Sequence, residues 1–404
     1  MSEGTEVGVG VGMKAGAEAI TVTAGRTPSE IVHNSEQLPY AIVAITKHGV
    51  EKARHLHQVL PGSHLYYMEK FMVGDEQERD IRMFTGSVRL LFADLFKKYN
   101  GLIFFISLGA VVRMMAPVLQ DKKVDPGVVV VDDRGENVIS VLSGHLGGAN
   151  ELTRELARLL DANPVITTAS DVQKTIPVDL FGRGFGWELD SFEKVTPVSA
   201  SVVNEEKVAI IQEAGERGWW PYPDKPLPGH FQVYHSIAEA WDDTFQGALV
   251  ITPRLLTVEE QARFLVNGVV YRPKTIVLGI GCNRGTSAEE IEQVILQALA
   301  EQHLSVKSVR NIATITLKQD EAGLLAVCQK YGWTLVAYTP EQLNEMPMTE
   351  RSETVYKFTG AYGVSEPAAL RSAEAEAPFL AKQKSGNVTL SIALVNGGGI
   401  VHGG

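Results

Sequence analysis

The strongest constraint on the fold is a set of short, almost unbroken apolar runs separated by helical stretches. They are GLIFFIS at 101–107, GVVVV at 127–131 and TIVLGIG at 275–281. A half-buried strand alternates apolar and polar residues, whereas a strand apolar at every position is covered on both faces. Similar segments recur in YAIVAIT from Tyr40, Leu65–Met68, VISVL from Val138, PVITTAS from Pro164, NIATITL from Asn311, TLVAY from Thr334 and VTLSIAL from Val388. Helical patterns fall between them near Val50, at Thr85–Lys98, Glu151–Leu160, Ala288–Ala300 (capped by Thr286 or Ser287) and Glu321–Tyr331. Strand–helix alternation of this kind predicts an α/β protein. Such sheets carry ligand loops beyond the carboxyl ends of their strands, where Ser107–Arg113 and Ser143–Asn150 are expected to fall. The apolar stretch Leu102–Val112, broken at Ser107 and Gly109, reads as a strand followed by a turn.

At roughly 150 residues per domain, 404 residues divide into two or three. Residues 1–38, with Gly4, Gly8, Gly10, Gly12, Gly16 and Gly25, read as a flexible glycine-rich extension, a short strand at Ala19–Thr23 being the alternative. GVGVGM within it has neither the spacing nor the preceding strand of a phosphate-binding loop. The amino-terminal α/β domain is placed at 39–171 and a smaller middle domain at 172–271. The carboxyl-terminal α/β domain, with a flexible end, is placed at 272–404. The fold class is therefore multidomain α/β, with mostly parallel or mixed sheets in the two outer domains. In the middle domain GWWPYPDKPLPG at 218–229 is a proline-set loop. Its Trp219 and Trp220 are expected to pack on their own domain rather than stack on a ligand.

A net charge of -11, from 37 basic and 48 acidic residues, argues against general binding to nucleic acid or acidic membranes. It leaves room for a small basic pocket. Only two cysteines, Cys282 and Cys328, are present, which fits a reducing, cytoplasmic setting. No apolar run approaches the roughly 20 residues that span a bilayer. Only Lys14 is basic before Ala15, unlike a secretory signal.

The densest group of chemistry-bearing residues is Ser143-Gly144-His145-Leu146-Gly147-Gly148-Ala149-Asn150. Its glycines allow close backbone approach, so N–H groups of Gly144, Gly147 and Gly148 can converge on an oxygen in front of a helix start. His145 can move protons near neutrality; bracing a tight turn is the competing role. Asp171, after ITTAS, is the carboxylate that would serve His145 if the two were neighbours. Asp132 and Asp133 could instead orient His145 or bind a cation, although a solvated turn is the simpler reading. Arg113 and Arg284 can fork onto carboxylates, with Ser143, Asn150, Thr286 and Lys318 as secondary contacts and Gly281 and Gly285 in the same carboxyl-terminal loop. Cys282 beside Arg284 reads as a small residue at a tight turn rather than a nucleophile. No His, Cys or carboxylate spacing suits a protein-held metal, and His402 has no partner spacing for one.

These segments together resemble the CbiG (cobalt-precorrin-5A hydrolase) family of anaerobic cobalamin biosynthesis. The likeness runs through GLIFFISLGAVVRMMAP, GVVVVDDRGENVISVLSGHLGGANELTRELA and PVITTASD, then through GIGCNRGTSAEEI and GVSEPAAL. It spans roughly Tyr40–Leu394 and is weakest in the middle. Asn283 departs from the basic residue common in that loop, while Arg284 keeps a positive group there. The resemblance implies a reaction in which water opens the δ-lactone of a cobalt-bearing, carboxylate-rich tetrapyrrole and acetaldehyde is released, giving cobalt-precorrin-5B. It implies no organic cofactor, since the cobalt belongs to the substrate. A non-enzymatic tetrapyrrole carrier or chaperone is the alternative. Transient contacts with pathway enzymes and a homo-oligomer both remain open.

Overall fold

The computed structural model describes residues 20–22 and 37–395. The readings of the rest of the glycine-rich extension and of the tail with His402 lie outside them. The described chain forms three sheets in two compact units.

The first unit carries two of the sheets. Its seven-stranded sheet runs in the order Arg82–Phe84, Ser63–Met68, Leu38–Ala44, Tyr99–Phe105, Gly127–Val131, Asn137–Leu142, Asn163–Val165. Tyr99–Phe105 and Gly127–Val131 are buried at every position, as apolar runs without alternation require. Removing a side chain such as Leu102 or Phe104 from water contributes roughly 1.5–3 kcal/mol, and both are fully buried. The first five strands are parallel. Asn137–Leu142 then turns back antiparallel to Gly127–Val131, with Val138 opposite Val131 and Leu142 opposite Val128. Asn163–Val165 lies parallel to Asn137–Leu142 and shares that reversed direction.

The reversal changes where the loops lie. Leu142 ends beside the start of Gly127–Val131, so the 143–150 loop sits at the amino ends of the parallel strands. Residues 106–113 follow a parallel strand and sit at the opposite end. The two loops expected together are therefore separated by the length of the sheet. The expected turn after Ser107 is a helix start, because Leu108–Met115 buries Val111, Met114 and Met115 at helical spacing.

The same unit holds the middle region's five-stranded sheet, in the order Phe231–Tyr234, Val208–Gln212, Gly247–Ile251, Gly268–Arg272, Glu188–Leu189. Four strands are parallel and Glu188–Leu189 is antiparallel. Trp219 donates to Gln212 at 2.9 Å and meets the Phe181 ring edge-on at 5.2 Å, so it packs within this region. Trp220 donates to the Lys225 carbonyl at 2.8 Å.

The second unit is one six-stranded sheet, ordered Ile20–Val22, Thr334–Tyr338, Val309–Ile315, Ile276–Cys282, Val388–Leu394, Leu380–Ser385. Its middle three strands, Thr334–Tyr338, Val309–Ile315 and Ile276–Cys282, are parallel. The remaining pairings are antiparallel. Within the glycine-rich extension, then, Ile20–Val22 forms a strand. No helix among the described residues is long and apolar enough to cross a membrane.

Candidate functional site

In the first unit, the reversed pair of strands sets one polar cluster. The 143–148 turn folds tightly onto the helix Ala149–Leu160: Gly148 N–H donates to His145 O at 2.9 Å, Ala149 N–H to Ser143 O at 3.2 Å and Asn150 N–H to Gly144 O at 2.9 Å. Gly147 is required by contact. A Cβ there would lie 2.4 Å from Ser143 Cβ and 3.0 Å from the Gly127 nitrogen. The turn thus rests against the first residue of the strand Gly127–Val131.

This packing projects His145 between two carboxylates. Nδ1 lies 2.9 Å and 3.1 Å from the two oxygens of Asp179, and Nε2 lies 3.0 Å from Asp171 Oδ2. Ser170 Oγ is 3.2 Å from the same Nε2. All three side chains of the clamp keep only 16–19% of their surface exposed. Burial by itself pushes the imidazolium pKa down. The bonds to Asp171 and Asp179, together with their charges, outweigh this and raise it to about 9. At neutral pH His145 is therefore an imidazolium whose two N–H groups both point at carboxylates. Geometry of this kind serves both readings of His145, as proton carrier and as brace.

Asp171 is held from several sides. Arg154 donates to one oxygen, and Asn150 Nδ2 donates to the other at 2.9 Å. Burial raises its pKa, but His145 and then Arg154 outweigh that and hold the carboxyl below its ordinary value. Asn150, buried, also donates to Thr168 Oγ1 at 2.9 Å and accepts from Ser140 Oγ at 2.7 Å. Its side chain acts as a cross-brace tying strand, helix and the Asp171 loop together. The Ser143 hydroxyl, shielded from solvent, has no hydrogen-bond partner among the described residues.

Other residues singled out in the sequence fall elsewhere. Asp132 accepts from the N–H groups of Arg134, Glu136 and Asn137 and closes a turn. Asp133 accepts from the Thr46 hydroxyl. Both follow Val131, at the sheet end away from His145, so neither orients it. Arg113 is exposed in the last turn of Leu108–Met115, also at that far end.

The second unit gathers its own polar loop where parallel strands Ile276–Cys282 and Val309–Ile315 end. Arg284 donates to Asp320 at 2.6 Å and to the Leu317 carbonyl at 2.7 Å. Gly285 N–H donates to Glu321 at 2.7 Å, Lys318 lies 3.4 Å from the same carboxylate, and the Thr286 hydroxyl donates to Asn283 O at 2.8 Å. Gly281 O accepts from the Thr389 hydroxyl at 3.1 Å. Asn283 is drawn to the neighbouring hairpin, where its Nδ2 donates to Asn387 at 2.8 Å. Burial pushes the Cys282 thiol pKa up, which suits a packed turn residue.

Asp179, Arg154 and Arg183 escaped the sequence reading. A signal for two of them is visible in DLFGRGFGW at 179–187, where an aspartate and an arginine stand among closely spaced glycines and aromatics.

Family models described as Cobalamin synthesis G N-terminal, Cobalamin biosynthesis central region and Cobalamin synthesis G C-terminus match residues 90–171, 176–273 and 276–393. A cobalt-precorrin-5A hydrolase of Priestia megaterium is 61% identical over 88% of this chain and 95% of that protein. A cobalt-precorrin-5A hydrolase of Salmonella typhimurium is 31% identical over 81% of this chain and 90% of its own length. Protein CobE of a Sinorhizobium species is 31% identical over 29% of this chain and 79% of its own.

Proposed function

The chain belongs to the cobalamin synthesis G (cobalt-precorrin-5A hydrolase) family, and on that premise we propose that it opens the cobalt-precorrin-5A lactone with water and releases acetaldehyde to give cobalt-precorrin-5B. The observation that carries this reading is the 61% identity to a cobalt-precorrin-5A hydrolase along nearly its whole length. We place the reaction in the cytoplasm and assign it no organic cofactor and no protein-held metal, the cobalt arriving with the substrate.

The His145 clamp supports a division of roles. An imidazolium held to about 9 enters the reaction charged, so it gives a proton before it takes one. In lactone opening that proton goes to the oxygen leaving the acyl carbon. Asp179, whose hydrogen bonds among the described residues run to His145 alone, is the carboxylate able to turn towards a water and accept its proton. Asp171 keeps Arg154 and Asn150 as partners throughout and anchors the ring. As His145 gives up its proton it becomes the base for the alcohol: it takes the O–H proton, the C–O bond becomes the C=O of acetaldehyde, and the C–C bond to the macrocycle breaks with its electron pair left on the conjugated ring system. To the unpartnered Ser143 hydroxyl and the Gly144 and Gly147 backbone we assign the steadying of charge on the lactone carbonyl oxygen. Gly148 and Asn150 contribute through the turn and the cross-brace, since their N–H groups already have acceptors. Arg113, at the other end of the sheet, is left out of this reading. The second unit's loop with Gly281, Arg284, Gly285, Thr286 and Lys318 is proposed, taken by itself, as a site for a carboxylate.

The test is anaerobic incubation of the protein with cobalt-precorrin-5A and water, with mass spectrometry of the macrocycle and trapping of acetaldehyde. One acetaldehyde per lactone opened is expected without any added cofactor. Tight binding with unchanged substrate mass would replace the enzyme by a carrier. Lactone opening without acetaldehyde would retain a hydrolase and remove the second half of the reaction.

A further inference from the structure

The segment that supplies Asp179 to the clamp carries a second charged residue in an unusual state. Leu180 N–H donates to Pro177 O and Arg183 N–H to Leu180 O, both at 3.0 Å, so Asp179 and Arg183 lie on consecutive turns of one short stretch. That stretch is held rigidly. Tyr271 OH donates to Val178 O at 2.6 Å, and Phe181 meets the rings of Trp187, Trp219 and Tyr271 edge-on at 5.1–5.5 Å. Between them Gly182 has φ +73°, and a Cβ on it would lie 1.9 Å from Trp187. No other residue fits there without moving the turn.

Arg183 is only partly exposed, and its Nη2 is shielded from solvent with no hydrogen-bond partner among the described residues. Among the described residues its guanidinium makes no ion pair. A shielded guanidinium nitrogen without an acceptor is costly, because arginine stays charged under all ordinary conditions. Burial pulls its pKa down, while the charges of Glu151 and then Asp179 work the other way without bonding it. Asp179, the clamp carboxylate whose charge acts on Arg183, is already held by His145. A guanidinium with one unsatisfied nitrogen, carried on a firmly packed turn beside a candidate reacting centre, is suited to an anion.

We propose that Arg183 binds a carboxylate of the substrate and thereby fixes the macrocycle against the His145 clamp. This rests on the proposed function, which supplies a substrate rich in carboxylates. Arg183 is a positioning and binding residue here, not a proton carrier. A planar acetate or propionate group matches its fork, and a neutral group at the same place leaves Nη2 unsatisfied.

The test compares Arg183→Gln and Arg183→Lys with the parent protein, using cobalt-precorrin-5A and its peripheral methyl esters. R183Q should raise KM about tenfold or more, as loss of a charge-assisted fork does, while kcat stays within about threefold. R183K, which keeps the charge and loses the fork, should fall between. In binding titrations R183Q should weaken the free acid and leave the esters nearly unchanged. Equal losses for acid and ester, or an unchanged KM, would overturn the assignment. So would a melting temperature that falls in R183Q and R183K alike while kcat falls with it, since that marks a brace. If the parent protein binds the free acid without changing its mass, the proposed reaction fails, yet the acid–ester comparison still decides Arg183. Normal turnover with an unaffected R183Q has the opposite meaning. Failure of the parent protein to bind the free acid would remove both.

Discussion

Replacing Asp179 by Asn tests the clamp most directly, because it removes one charge and preserves the shape. Moving a histidine from its ordinary 6.5 to about 9 corresponds to roughly 3 kcal/mol of preference for the charged form. Residual exposure of 16–19% admits some solvent screening, which trims this to about 2 kcal/mol. Divided between two carboxylates, about 1 kcal/mol belongs to Asp179. One pH unit corresponds to about 1.4 kcal/mol, so D179N should lower the His145 midpoint by somewhat under one unit. The sign for stability follows from the raised folded value. The clamp's contribution is fully present below about 6.5 and is lost as pH rises through about 9. D179N should therefore be less stable than the parent at pH 6 by about 1 kcal/mol, and the two should converge by about pH 10. Titration of 13C-labelled histidine by NMR reads the midpoint, and urea unfolding at the two pH values reads the difference. A parent His145 midpoint between 6 and 7, or one untouched by D179N, would refute the reasoning.

H145A should reduce turnover by about 100- to 10,000-fold while macrocycle binding changes much less; near-normal single-turnover chemistry in a folded variant would remove His145 from the reaction. G147A must push Ser143 or the Gly127 backbone aside and should cost about 1–3 kcal/mol, read as a fall in melting temperature. In R284Q an exposed guanidinium loses Asp320, so melting should hardly change while free-acid binding weakens more than ester binding. Equal losses for acid and ester would leave Arg284 as a loop brace.

Strand identity was legible because burial on both faces writes itself into the sequence as an unbroken apolar run. GLIFFIS and GVVVV are strands for that reason, and the helix Ala149–Leu160 follows from its apolar spacing. The pairing of His145 with Asp171 was legible only as a conditional statement, since 26 positions separate them. Asp179 was missed because DLFGRGFGW has neither strand nor helix periodicity. Its turn is set by Phe181 packing among Trp187, Trp219 and Tyr271, contacts that lie far apart along the chain.

Strand direction is what the residues did not write down. VISVL reads the same whether it runs with or against GVVVV, because side-chain alternation is indifferent to polarity. The short turn at Asp132–Gly135 decides the matter: Asp132 gathers three backbone N–H groups, and the chain reverses within a few residues. A parallel continuation needs a crossover of a dozen residues or so, and too little chain separates Val131 from Asn137 for one. Counting that connection would have placed the SGHLGGAN loop at the amino ends of the parallel strands. The consequence reaches the chemistry. Asn163–Val165, parallel to the reversed strand, brings ITTASD back to the same end, so His145, Asp171 and Asn150 meet, while Asp132, Asp133 and Arg113 are carried away from them. The candidate reacting centre is thus set by a hairpin added to an otherwise parallel sheet. The usual rule for ligand loops points to the sheet's other end.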